Sequence, residues 1–148
     1  MAKNESIKEG YIDIESKFMN EDFLKYIDRS KIKVIVSYHN TVETPKIEEI
    51  HKIYSKAVIQ GADVVKIVTM AKNYDDCKRM LDLVRDADKL TIGMCMGKCG
   101  EITRYNKQNY MTFCTLNKKE CSAPGQPTLD YMIKHFNRVE KLHNKHSE

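Results

Sequence analysis

No apolar run in this sequence approaches the roughly 20 residues that cross a bilayer, and the opening MAKNESIKEG lacks the apolar stretch of a secretion signal. The sequence therefore predicts a cytoplasmic protein with no membrane partner. Charge of one sign is also missing: 25 Lys and Arg stand against 21 Asp and Glu, net +4, scattered along the chain without a basic cluster. That balance argues against nucleic acid as a partner. No GxGxxG and no P-loop follows any apolar run, which removes the usual support for a nucleotide-binding sheet. The five cysteines (Cys77, Cys95, Cys99, Cys114 and Cys121) are odd in number and come without a secretion signal, so free thiols are expected rather than a disulfide framework. Cys95, Cys99, Cys114 and Cys121 do not have the doubled CxxC spacing of a zinc site, and no metal is expected.

What is present is ordinary globular material: 148 residues, 41% hydrophobic and 31% charged, enough for one core and one domain. Short β-branched runs alternate with stretches of helical spacing, the pattern of βαβ units and a parallel sheet. Strands are predicted at 11–15 (YIDIE), 33–38 (KVIVSY), 63–70 (DVVKIVTM), 90–96 (LTIGMCM) and 110–116 (YMTFCTL). A short helix is predicted over 20–28. A second begins at Thr44 as N-cap, with Pro45 in its first turn, and closes at Gly61. A third covers 74–86 with Cys77, Met80, Leu81 and Val84 on one stripe. The last covers 127–142 and carries Leu129, Met132, Ile133, Phe136 and Val139. An open doubly wound sheet and a segment of a (β/α)₈ barrel both fit this alternation, and a whole barrel needs about 250 residues.

Several residues in this frame could carry chemistry. Lys66 lies inside VVKIV, sharing a face with Val64 and Val68 and flanked by apolar residues on the other. An amine kept from water there is suited to attack a carbonyl and form a Schiff base; taken alone, a strand lysine paired with a carboxylate or snorkelling out is the plainer reading. His39 ends the second strand, at the C-terminal edge where parallel α/β folds place functional groups, and imidazole is a ready acid and base. His51, His135, His143 and His146 fall on helices or the polar tail and read as surface residues. Asp13 and Glu15, two apart on the first strand, share a face where one could orient His39 or neutralise a buried cation; a solvated strand edge is an equal alternative. Arg104 in GEITR could clamp a carboxylate. CSAPGQ, with Ser122 and Gln126, has the hydroxyl, amide and Pro-Gly turn of a loop that could fold over a polar ligand, or of a simple turn before the last helix.

Taken in order, SYHN with His39, DVVKIVTM with Lys66, MCMGKCGEITR with Arg104 and SAPGQ with Ser122 and Gln126 closely resemble type I 3-dehydroquinate dehydratase, from about Ile7 to the last helix. YIDIE resembles that family's third barrel strand. The resemblance implies a (β/α)₈ barrel that converts 3-dehydroquinate to 3-dehydroshikimate in the shikimate pathway, without metal or external cofactor. By position it implies that Lys66 forms the imine and His39 is the general acid and base. Arg104, Ser122 and Gln126 would then hold the substrate's carboxylate and hydroxyls, and Met94, Met96 and Phe113 would line the pocket. Since nothing precedes the third strand, the expected fold is a partial TIM barrel of about six of eight units, one domain over 1–148 holding family strands 3 to 8. Its two open sheet edges would be covered by further copies of the chain or by a complementing N-terminal segment. Two rival readings stand beside this one: a truncated, non-catalytic barrel fragment that needs such a segment, and another Schiff-base lyase or aldolase of the barrel class.

Overall fold

The computed structural model describes residues 9–144, apart from the side chains of Glu21 and of 137–144. Four parallel strands, β1 (Gly10–Glu15), β2 (Ile32–Asn40), β3 (Val64–Met70) and β4 (Leu90–Met96), form one sheet in the order β1-β2-β3-β4. Between and after them come α1 (Glu21–Leu24), α2 (Ile47–Ile59), α3 (Tyr74–Asp86), α4 (Glu101–Arg104) and α5 (Leu129–Asn144). All strands are parallel and sequential neighbours, as successive βα units of a barrel wall require.

Alternation along the strands divides the apolar residues between two faces. Val34, Val36, Val65 and Ile67 point outward, where Ile50 and Ala57 of α2 and Cys77, Met80 and Leu83 of α3 cover them. Ile35, Val64, Val68, Ile92, Met94 and Met96 point to the other side, against Tyr110, Met111, Phe113 and Ala123. With apolar residues on both faces, β3 has the near-continuous hydrophobic sequence of a buried parallel strand.

The helix ends show which punctuation was read correctly. After α2, Gly61 adopts φ +88; its N–H bonds to Val58 O and the next N–H, of Ala62, to Ala57 O, a Schellman closure that a side chain would strain. Its start differs from expectation: the N-cap is Lys46, while the Thr44 hydroxyl bonds instead to Thr69 Oγ1 and Met70 O, tying the β2–α2 connection to β3. The helix predicted over 20–28 contracts to α1, capped by the Asn20 side chain on the Asp22 N–H. In α3, Asn73 and Asp76 form a reciprocal capping box, and the buried stripe takes Leu83 with Cys77, Met80 and Val84 while Leu81 is only half-buried. On α5 Met132 is buried but Leu129 and Ile133 are exposed; the side chain of Val139 and the tail with His143 and His146 lie outside the described side chains.

The largest departure is at 110–116, predicted as a fifth strand. It forms no strand; its sole ladder contact is an isolated bridge between Thr115 and Thr128. The reason lies at the outer edge of β4. Gly93 N–H bonds to Asn109 Oδ1, Cys95 N–H to Thr103 Oγ1, and Thr91 O receives the N–H of Tyr110. Side chains and one backbone amide thus occupy the groups a neighbouring strand would use. The described residues therefore hold four strands of barrel wall rather than the six expected.

Gly93 also sets how closely α3 seats on the sheet. A Cβ there would collide with Val84 Cγ2 and lie 2.9 Å from Met80 Sδ. Gly93→Ala is expected to push α3 outward and to destabilise the fold by about 1–3 kcal/mol, the usual range for overpacking a tight core. Urea unfolding followed by circular dichroism checks it, with an unchanged midpoint as the contrary result.

Candidate active site

The inner face of the sheet carries a line of polar groups among its apolar residues. Registered side by side are Glu15, Ser37, Lys66 and Ile92, each from a successive strand. Asp13 lies two residues before Glu15 and His39 two residues after Ser37, so period two puts all of them on this face.

They pair in two ways. Lys66 Nζ donates to Asp13 Oδ2 at 2.7 Å and lies 4.8 Å from the centre of the Phe113 ring. Its side chain is 13% exposed against 37% for Asp13. Lys66 thus combines the two readings of its position: it is largely withdrawn from water among apolar neighbours, and it is paired with a carboxylate and the electron-rich face of an aromatic ring. Asp13 comes from β1, two strands away, which is why sequence spacing could not assign it to the lysine.

Glu15 serves the histidine. Its Oε2 lies 2.6 Å from His39 Nδ1, its Oε1 accepts the His39 backbone N–H at 3.1 Å, and Ser37 Oγ donates to Oε2 at 3.3 Å. A carboxylate on Nδ1 fixes the ring orientation and leaves Nε2 as the nitrogen available to a substrate. Ser37, 3% exposed, is the residue that sequence reasoning missed. The signal was there, since it lies two before His39 on the same strand face, but a serine in KVIVSY carries no chemistry until its neighbour is known.

The remaining candidates lie on and beyond β4. Met94 and Met96 are buried on β4 in the inner cluster. Arg104, last residue of α4, is 3% exposed and its Nε has no hydrogen-bond partner among the described residues; burial lowers its pKa from the ordinary arginine value. Ser122 donates from both N and Oγ to Gln126 Oε1, at 2.9 and 3.0 Å, so each holds the other. Between them Ala123 packs on the inner cluster, and the Gly97 N–H bonds to Pro124 O, which moors this loop at the end of β4. Arg104, Ser122 and Gln126 make no hydrogen bond to Lys66 or His39.

The other titratable candidates lie elsewhere. His51 is exposed on α2, and His135 stacks on Tyr105 at 3.9 Å. Among the described residues no group of three or more His, Cys, Asp or Glu is arranged to hold a metal ion, and no helix is long and apolar enough to cross a membrane. The cysteines are free thiols, and burial pushes that of Cys77 up to about 12.

Comparisons with known proteins agree with one another. The type I 3-dehydroquinase family model matches residues 5–142. A bifunctional 3-dehydroquinate dehydratase/shikimate dehydrogenase of the Arabidopsis thaliana chloroplast is 39% identical over 133 residues, 86% of this chain and 22% of that protein. The 3-dehydroquinate dehydratase of Pyrococcus abyssi is 38% identical over 127 residues, 84% of this chain and 58% of that one. Among solved structures, 3-dehydroquinate dehydratase from Geobacillus kaustophilus has a TM-score of 0.80 at 26% identity, covering 89% of this chain and 54% of its own. The type I enzyme from Clostridium difficile, with covalently modified comenic acid, has a TM-score of 0.75 at 28% identity, covering 88% and 55%. The parallel βα units seen here are those of a partial TIM barrel, and this chain spans about half the length of the solved relatives.

Proposed function

Because this chain belongs to the type I 3-dehydroquinase family, we propose that it dehydrates 3-dehydroquinate to 3-dehydroshikimate through a Schiff base on Lys66, a step of the shikimate pathway. The observation that carries the reading is the pair of contacts made by two carboxylates of β1: Asp13 on the Lys66 amine of β3 and Glu15 on the His39 ring of β2.

Each has a chemical consequence. For Lys66 to attack, its ammonium must give up a proton, and Asp13 Oδ2 at 2.7 Å is the acceptor within reach. The free amine adds to the C3 ketone and the adduct loses water to give an iminium, which draws electrons and acidifies the C2 hydrogen. His39, its ring held by Glu15 through Nδ1, takes that proton on Nε2. The enamine that results expels the C1 hydroxyl, which leaves as water with the proton His39 returns. Water then hydrolyses the product iminium and restores the amine, so the balance is one substrate to one product and one water.

The surroundings suit the substrate. Arg104 offers a buried guanidinium with an unoccupied Nε to the carboxylate, while Ser122 and Gln126 meet hydroxyls once their mutual bonds open. Met94, Met96 and Phe113 supply apolar walls that keep the iminium from premature hydrolysis. The reaction asks for no metal or external cofactor. The open outer edge of β1, beside Asp13 and Glu15, is where a further strand from a second copy or an N-terminal segment would pair. Free thiols suit residence in the reducing cytoplasm.

Reduction with borohydride in the presence of 3-dehydroquinate is the direct test. The expected result is a stable adduct that peptide mass mapping places on Lys66. An unmodified Lys66 peptide, with substrate in large excess, sinks the assignment.

A further inference from the structure

Residues 109–113, having failed to form a strand, lie over the inner face in a particular way. One end is fixed: Asn109 accepts the Gly93 N–H at 2.7 Å and donates to Gly93 O and Thr103 O at 3.2 and 2.9 Å. The other end bears on the site, with Thr112 Oγ1 bonded to Arg104 O at 2.9 Å and the Phe113 ring over Lys66 Nζ. Between them, Tyr110 is held to β4 by its backbone yet its hydroxyl meets that of Tyr11 on β1, the opposite edge of the sheet.

We propose that Asn109–Phe113 is a movable cover over Lys66, hinged at Asn109 and latched by the Tyr11–Tyr110 hydroxyl pair. Three hydrogen bonds anchor Asn109 on β4 and α4, and the backbone of Tyr110 and the hydroxyl of Thr112 hold Thr91 O and Arg104 O on the same side, whereas the tie across to β1 is a single bond whose Tyr11 side is 46% exposed and so opens to water at little cost. The bond to Tyr110 raises the pKa of the Tyr11 phenol from its ordinary value. With the latch closed, Tyr110, Met111 and Phe113 complete the inner cluster and Lys66 is 13% exposed; with it open, the amine can be reached from the side of β1. The proposal rests on Lys66 being the amine a substrate must reach, but its test does not require turnover.

The full chain and the variants Tyr11→Phe, Tyr110→Phe and the double variant are acetylated briefly with an N-hydroxysuccinimide ester at neutral pH. Labelling of Lys66 is read by mass spectrometry as a ratio to Lys52, whose side chain is 77% exposed. Alkylation of Cys95, buried on the other side of β4, reports any general loosening. The expected result is that each single variant raises the Lys66 ratio about threefold, the scale of one partly exposed hydrogen bond. The double variant should match either single one, because both remove the same bond, with Cys95 unchanged. An unchanged Lys66 ratio, effects that multiply in the double variant, or a parallel rise at Cys95 overturns the latch. Faster acetylation without any borohydride-trapped adduct would uphold the latch while refuting the dehydratase reading, and the converse result would do the opposite.

Discussion

Lys66→Met is expected to abolish both the borohydride-trapped adduct and dehydration, lowering the rate by more than about 10³-fold. Covalent catalysis offers no substitute path when the nucleophile is gone. Methionine keeps an unbranched stem of similar length against Phe113 and removes only the ammonium. The variant leaves Asp13 without its partner, but that carboxylate is 37% exposed and regains water, so the cost to stability is on the order of 1 kcal/mol, as for other partly exposed pairs. A folded protein without activity is therefore the expected outcome. The checks are the rise in enone absorbance with 3-dehydroquinate, and a thermal melt close to that of the parent chain. Retention of more than a small fraction of the rate would show that Lys66 is not the amine that carries the reaction.

His39→Gln should separate the steps. Lys66 and Asp13 remain intact, so the adduct still forms and is still trapped. Proton removal from C2 and its return to the leaving hydroxyl both lose their agent. Turnover should fall by about 10²–10⁴-fold, the range for loss of a general acid and base, while trapping at Lys66 stays within a few-fold. Single-turnover reduction and steady-state absorbance, measured on one preparation, give the two readings together. If trapping and turnover fall in step, His39 acts on imine formation or on the fold and not on the elimination.

The elements that could be read in advance are those whose determinants are local. The parallel strands announce themselves by β-branched runs, α3 by its apolar stripe of Cys77, Met80 and Val84, and the end of α2 by Gly61. His39 and Lys66 were visible because a histidine at a strand end and a lysine inside an apolar strand are each unusual, and because the surrounding motifs keep their order and spacing. Thr44 was misread for the opposite reason: as a threonine before proline it has every local mark of an N-cap, yet Thr69 and Met70, 25 and 26 residues on, take its hydroxyl.

The sequence by itself determined the alternation of strands and helices, the family, and which side chains share a face, since period two and period 3.6 are properties of the backbone alone. Only the tertiary structure decided which carboxylate pairs with Lys66 and which with His39, that Ser37 bonds to Glu15, and that Tyr110, Met111 and Phe113 pack on the inner face instead of extending the sheet. Those outcomes depend on competition between groups far apart in the chain. The edge of β4 was open to a strand until Asn109 and Thr103 filled its hydrogen bonds, and Lys66 had no designated partner until the sheet brought β1 within 2.7 Å of its amine.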